Sequence, residues 1–118
     1  MAEPERGERA INIRKPYFDL IAAGIKTVEV RVGYPSMRKI APGLVLCFVS
    51  GDDVLRTRVV KVKEYASFEA MLDAEDSRAI GGEGKSREEL LAACRGIYPV
   101  EKEALGVLAI HLELLPAR

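Results

Sequence analysis

The sequence is short of the residues on which most enzyme chemistry depends. It has a single histidine, His111, and neither cysteine stands at a ligand-like spacing from it or from the other. A zinc site, a Ser–His–Asp order and a zinc deaminase signature are therefore missing, and His111 reads as an outward strand residue. Two cysteines, Cys47 and Cys94, make a disulfide framework untenable; both sit in apolar surroundings and read as buried, reduced thiols, which fits a cytoplasmic protein. No apolar run approaches the ~18 residues that a spanning helix requires. The first ten residues, MAEPERGERA, carry acidic side chains and no apolar core, so they do not resemble a secretory signal. Net charge is lacking too: 18 Lys and Arg balance 18 Asp and Glu, which removes any strong long-range pull on a polyanion.

What is present is a chain of 118 residues with 48% apolar side chains, enough for one domain with one core. The zero net charge hides an asymmetry. Residues 1–63 hold 12 basic against 7 acidic side chains, and residues 64–118 hold 6 against 11. A basic half can serve a polyanion locally, and equally it can be an accident of surface composition.

Residues 1–9 read as a flexible tail and 10–118 as one domain. Residues 10–14 form a short strand with Ile11 and Ile13 on one face. KPYFDLIAAG follows as a helix, with Pro16 in its first turn and Gly24 as its left-handed stop. TVEVR is a strand on which Val28 and Val30 oppose Thr27, Glu29 and Arg31. After a Pro/Gly-broken loop, LVLCFVS reads as a strand buried on both faces. In VLRTRVVKVKEY the apolar parity changes at Val59 and Val60, which predicts a bulge or a barrel corner. Arg56, Arg58, Lys61 and Lys63 read as the charges of a solvated or edge strand. Ser67 opens a helix over Phe68, Met71 and Leu72, and Ser86 with Glu89 forms a capping box for the next one. The last strand places Leu108, Ile110, Leu112 and Leu114 inward.

The predicted order is β–α–β–β–β–α–α–β. Short turns between strands, with helices inserted, point to a small mixed α+β barrel of five or six strands and about three flanking helices, and not to a doubly wound sheet. One tempting lead fails. AIGGEGKS, residues 79–86, lacks the first glycine of the phosphate-cradling loop and follows a helix instead of a strand, so it reads as a flexible loop before a capped helix.

Lys26, Glu29 and Arg31 pose the functional question, because they are charged residues on a strand that otherwise reads as buried. They are the wet face of that strand, or they floor a pocket. Gly24 to Arg31 fits G-x-K-x-x-E-x-R. With PYFDLIAAG before it, and with APGLVLCFVS, VVKVKEYASFEAML, GIYP and GVLAIHLEL after it, the stretch resembles the ASCH (activating-signal-cointegrator homology) domain of the PUA-like superfamily, over residues 10–115.

The resemblance implies a PUA-like barrel and a cleft beside the motif that binds RNA or a modified nucleobase. In such a cleft Glu29 and Arg31 would pair, Lys26 would offer a mobile ammonium reaching solvent, and Thr27 would share their face. A carboxylate accepts hydrogen bonds from an exocyclic amine. Tyr17, Tyr34 and Tyr98 are candidate stacking platforms, and Arg14, Lys15, Arg38 and Lys39 candidate phosphate contacts. The expected partner is single-stranded nucleic acid or a modified nucleoside, with no membrane, no metal and no cofactor.

The resemblance also implies an alternative, a hydrolase. Small bacterial members of similar length cleave the acetyl amide of 4-acetylcytidine, and others are reported as ribonucleases. The amidohydrolases use a lysine, a threonine nucleophile and a glutamate. Lys26 matches the lysine, but Glu29 occupies the threonine's place. Thr27 lies one side-chain step away, ~7 Å along the strand. Glu75 and Glu83 are the candidates for the glutamate. In a ribonuclease, Lys26 and Glu29 would have to serve as acid and base.

Overall fold

The computed structural model describes residues 8–116. Its elements run β1 (Glu8–Asn12), α1 (Lys15–Ala22), β2 (Val28–Val32), β3 (Val45–Ser50), β4 (Asp53–Tyr65), α2 (Phe68–Ala74), α3 (Arg87–Ile97) and β5 (Val107–Leu114). Two 3-10 turns, Met37–Lys39 and Val100–Leu105, complete them. The predicted order of helices and strands is the observed one. The strands form one curled five-stranded sheet, a half-barrel of order β1-β3-β4-β5-β2, in which β1–β3 is parallel and the other pairs are antiparallel.

The sheet is buried on two sides. On one face Ile11, Leu46, Phe48, Val59, Ile110 and Leu112 pack against Phe18 and Ile21 of α1. On the other, Val28, Val32, Val107 and Ala109 meet Phe68 and Met71 of α2. This explains β5, whose first four residues, Val107 to Ile110, are all buried: it lies between β4 and β2 and is covered from both sides. Leu114, expected inside, is exposed, because the strand has by then run past its covering layer.

Several local expectations need correction. Glu8 and Arg9, expected in a tail over residues 1–9, belong to β1; residues 1–7 lie outside the described part. That strand also ends at Asn12, leaving Arg14 as the residue that precedes α1. β3 is fully buried on one face only, at Leu46 and Phe48; α2 packs over β4 and β5, so Val45, Cys47 and Val49 stay half-covered. Cys94 is likewise half-buried, and its thiol forms no disulfide. The phase change in β4 is a register shift between Val59 and Lys61, but Val60 itself bulges outward and is exposed.

Punctuation follows the sequence closely. Pro16 stands in the first turn of α1, and Gly24, at φ 77°, turns the chain out of it. The Ser67 side chain accepts from Ala70 N–H, and Ser86 and Glu89 exchange both capping-box bonds. A cap the sequence did not reveal is Glu103. This buried carboxylate accepts from Phe68 N–H at 2.9 Å and from Arg95 Nε at 3.1 Å, tying the starts of α2 and the last 3-10 turn to α3. The Arg95 bond holds its pKa below the usual carboxylate range.

Candidate functional site

β2 is one edge of the sheet and β1 the other. Register places Glu29 and Arg31 opposite Ile110 and Leu108, so both point to the face shared with α1. Arg31 donates from Nε to Glu29 Oε2 at 2.6 Å and from Nη2 to Asn12 C=O at 2.9 Å. One guanidinium therefore spans from one sheet edge to the other, and the space it crosses is a cleft of about 230 Å³.

The floor of this cleft is charged and mostly dry. Glu29 is 6% exposed and Lys26 only 4%. Lys26 Nζ donates to Val28 C=O at 2.6 Å and to Ile80 C=O at 3.0 Å, and lies 3.2 Å from Glu29 Oε1. Two backbone carbonyls thus take hydrogen bonds from the ammonium, and the Glu29 carboxylate balances its charge. The expectation of a mobile ammonium reaching solvent is thus corrected. Lys26 is instead a buried clamp, drawn inward because two carbonyls and a carboxylate offer it more than water would at that depth.

The clamp explains why residues 79–81 matter. Ala79 C=O accepts from Thr27 and Val28 N–H, and Ile80 C=O from Lys26, so this loop is pinned to β2 and is not a free connector. Gly81 then passes Lys26 and Tyr17 closely at φ 91°; an added Cβ would stand 3.2 Å from Lys26 Cδ and 3.3 Å from Tyr17 Cδ1, in a backbone conformation that side chains resist.

The walls are apolar and aromatic. α3 turns Leu90, Ala93, Cys94 and Ile97 to the cleft, and Tyr17 and Tyr98 complete it. Burial pushes the Cys94 thiol upward in pKa, which keeps it protonated and a poor nucleophile. Burial likewise raises the Tyr98 phenol. Tyr98 is stacked on Phe68 at 6.0 Å between ring centroids and tilted against Tyr34 at 6.3 Å, so Tyr34 supports Tyr98 from behind. Tyr17 carries the Lys26 ammonium 5.7 Å from its ring centroid. Exposed Arg14 and Lys85 stand at the rim.

Of the residues singled out in the sequence, Arg14, Tyr17, Lys26, Glu29, Arg31 and Tyr98 line this cleft. The others do not. Lys15 pairs with Asp19 and Asp53, and Arg38 makes a two-pronged bond to Glu64 at 2.7 and 2.8 Å. Lys39 and Thr27 are exposed outside it. Glu83 pairs with Arg78 on the surface. Glu75 lies elsewhere, accepting from Tyr65 Oη at 2.6 Å with His111 Nε2 3.1 Å away, so His111 is half-buried and paired instead of facing outward. Burial would raise Glu75, but the bonds from Tyr65 and His111 override it and the net shift is downward. The sequence missed the pinned loop and the α3 wall. The spacing of Leu90, Cys94 and Ile97 announces one apolar helix face, although not what it faces. Among the described residues no group of three or more His, Cys, Asp or Glu could hold a metal ion, and no helix is long and apolar enough to cross a membrane.

A curled five-stranded sheet with α1 against one face, α2 on the other and α3 walling a cleft at the seam between the sheet edges defines a small α+β domain of the PUA-like kind. The family model of the ASCH domain matches residues 11–116, and the chain belongs to that family, one generally of RNA-binding domains. Two solved structures are similar. The crystal structure of hypothetical protein PH0355 superposes with a TM-score of 0.84 at 32% identity, over 92% of this chain and 99% of that one. The solution structure of protein PF0455 from Pyrococcus furiosus gives 0.77 at 33% identity, over 93% and 99%. No curated protein matches the chain.

Proposed function

We propose that this cleft takes one unstacked base of a single-stranded RNA, or a free nucleobase of the same shape, without chemistry. One observation carries the reading: a buried carboxylate, Glu29, held by Lys26 and by the half-buried Arg31 guanidinium, floors a cleft whose walls are otherwise aliphatic and aromatic. Such a floor can hydrogen-bond the edge of a base, and such walls suit its faces. Tyr17 flanks the base, Glu29 and Arg31 meet its polar edge, and Arg14 and Lys85 take flanking phosphates.

Binding is favoured over hydrolysis by two features. Lys26 is tied down by two backbone carbonyls and the Glu29 carboxylate, and Thr27 is exposed outside the cleft. Fluorescence anisotropy with short labelled oligoribonucleotides tests the reading. Tyr17→Ala and Glu29→Gln should each weaken binding at least ~10-fold, the loss of one stack or one charge-assisted bond. Lys61→Ala, an exposed residue of β4 that does not line the cleft, should not. Equal losses in all three would place the RNA elsewhere.

A further inference from the structure

The edge of β2 carries an open hydrogen-bonding pair. In an antiparallel ladder, alternate residues exchange both backbone bonds with the partner strand and the intervening ones turn theirs outward. Leu112 N–H donates to Thr27 C=O at 2.8 Å and Gly33 N–H to Gly106 C=O at 2.9 Å, in the same register as Val28 opposite His111. Glu29 and Arg31 are therefore the residues bonded to β5, and Val28, Val30 and Val32 present N–H and C=O to the edge. The outer two are already engaged. Val28 donates to Ala79 C=O and accepts from Lys26; Val32 accepts from Tyr34 N–H, and the Tyr98 hydroxyl bonds to its backbone. Val30, which lines the cleft, has no backbone partner among the described residues.

We infer that the Val30 N–H and C=O are the specificity-determining contact of the cleft, and read a planar heterocycle that carries an acceptor beside a donor on one edge. This rests on the proposed function and narrows it. An added peptide strand is disfavoured, because strand addition needs successive rungs and those on both sides of Val30 are closed. One rung suits a small planar ligand. A nucleobase edge, such as uracil O4 with N3–H or cytosine N3 with its amino group, supplies acceptor and donor side by side. Glu29 and Arg31 project from the same strand beside this rung and sense the neighbouring atoms of the ring.

Amide hydrogen exchange and ligand methylation test this together. In the free protein the Val30 amide should exchange at least ~100-fold faster than those of Glu29 and Arg31, which are held in the ladder. Protection of Val30 equal to theirs would overturn the inference. The probes are uridine, cytidine and adenosine 5′-monophosphates and their counterparts with the edge donor fully methylated (3-methyluridine, N4,N4-dimethylcytidine, N6,N6-dimethyladenosine). Whichever binds should slow Val30 exchange ~10-fold or more at saturation, and methylation should weaken it by ~10-fold or more. Binding that leaves Val30 exchange unchanged and ignores methylation overturns this inference while the proposed function stands. Failure of all three nucleotides to bind at millimolar concentration overturns both.

Discussion

Lys26 and Glu29 form a buried ion pair, Nζ to Oε1 3.2 Å, at the floor of the cleft, with the carboxylate's other oxygen held by Arg31 at 2.6 Å. The pair makes the site and part of the fold inseparable, because the same ammonium fastens residues 79–81 to β2. A substitution there acts on stability before it acts on any ligand.

Lys26→Ala should therefore destabilise the domain by about 3 kcal/mol, the low end for breaking a buried pair, because Arg31 still faces Glu29. Chemical denaturation measures it. A loss within ~0.5 kcal/mol, as for exposed surface positions, would mean that the ammonium is solvated after all.

Gly81→Ala should cost stability as well, through a left-handed φ and two tight approaches, by about 1–3 kcal/mol. The same denaturation experiment reports it. Gly84→Ala makes a comparison in open space: φ is also positive there, but nothing lies within 4 Å. The difference between the two variants isolates the crowding by Lys26 and Tyr17.

RNA affinity should depend weakly on salt. The sequence offered Arg14, Lys15, Arg38 and Lys39 as phosphate contacts, yet Lys15 and Arg38 are committed to ion pairs away from the cleft. With Arg14 and Lys85 as the rim cations, two neutralised phosphates give a slope of log K against log salt of about −1.4. A slope steeper than about −3 would require a basic surface outside the cleft.

Alkaline stability should report Tyr65. Burial, followed by its bond to Glu75, pushes this phenol up from 10.0 to about 12. The folded state then holds the proton more tightly than the unfolded chain, so this contribution is present below pH 10 and is lost as pH rises towards 12. Tyr65→Phe should flatten the decline of Tm over that interval. An unchanged decline would mean that another group titrates there.

Much of this was legible in the sequence because local rules and global fold agree. Pro16, Gly24, Ser67 and the Ser86–Glu89 box mark their helices by chemistry that needs no tertiary information, and the parity change at Val59 and Val60 announces the bulge. The family motif also brought out Lys26, Glu29 and Arg31. What stayed hidden depends on what covers what. Cys47 and Leu114 looked like core because nothing in a strand's own pattern says where its covering helix stops. Lys26 looked exposed because its acceptors, the carbonyls of Val28 and Ile80, are backbone groups with no sequence signature. Glu103 is the same case from the other side, a carboxylate among exposed ones whose partner, Phe68 N–H, lies 35 residues away.

The most direct test of the central claim is an amide NMR titration of the protein with a short unstructured oligoribonucleotide. The account predicts shifts confined to the cleft: Val30 and Arg31 on β2, Ile80 and Gly81 in the pinned loop, Cys94 on α3, and Tyr17. Shifts centred on the exposed charges of β4, Arg58, Lys61 and Lys63, with the cleft residues unmoved, would contradict it.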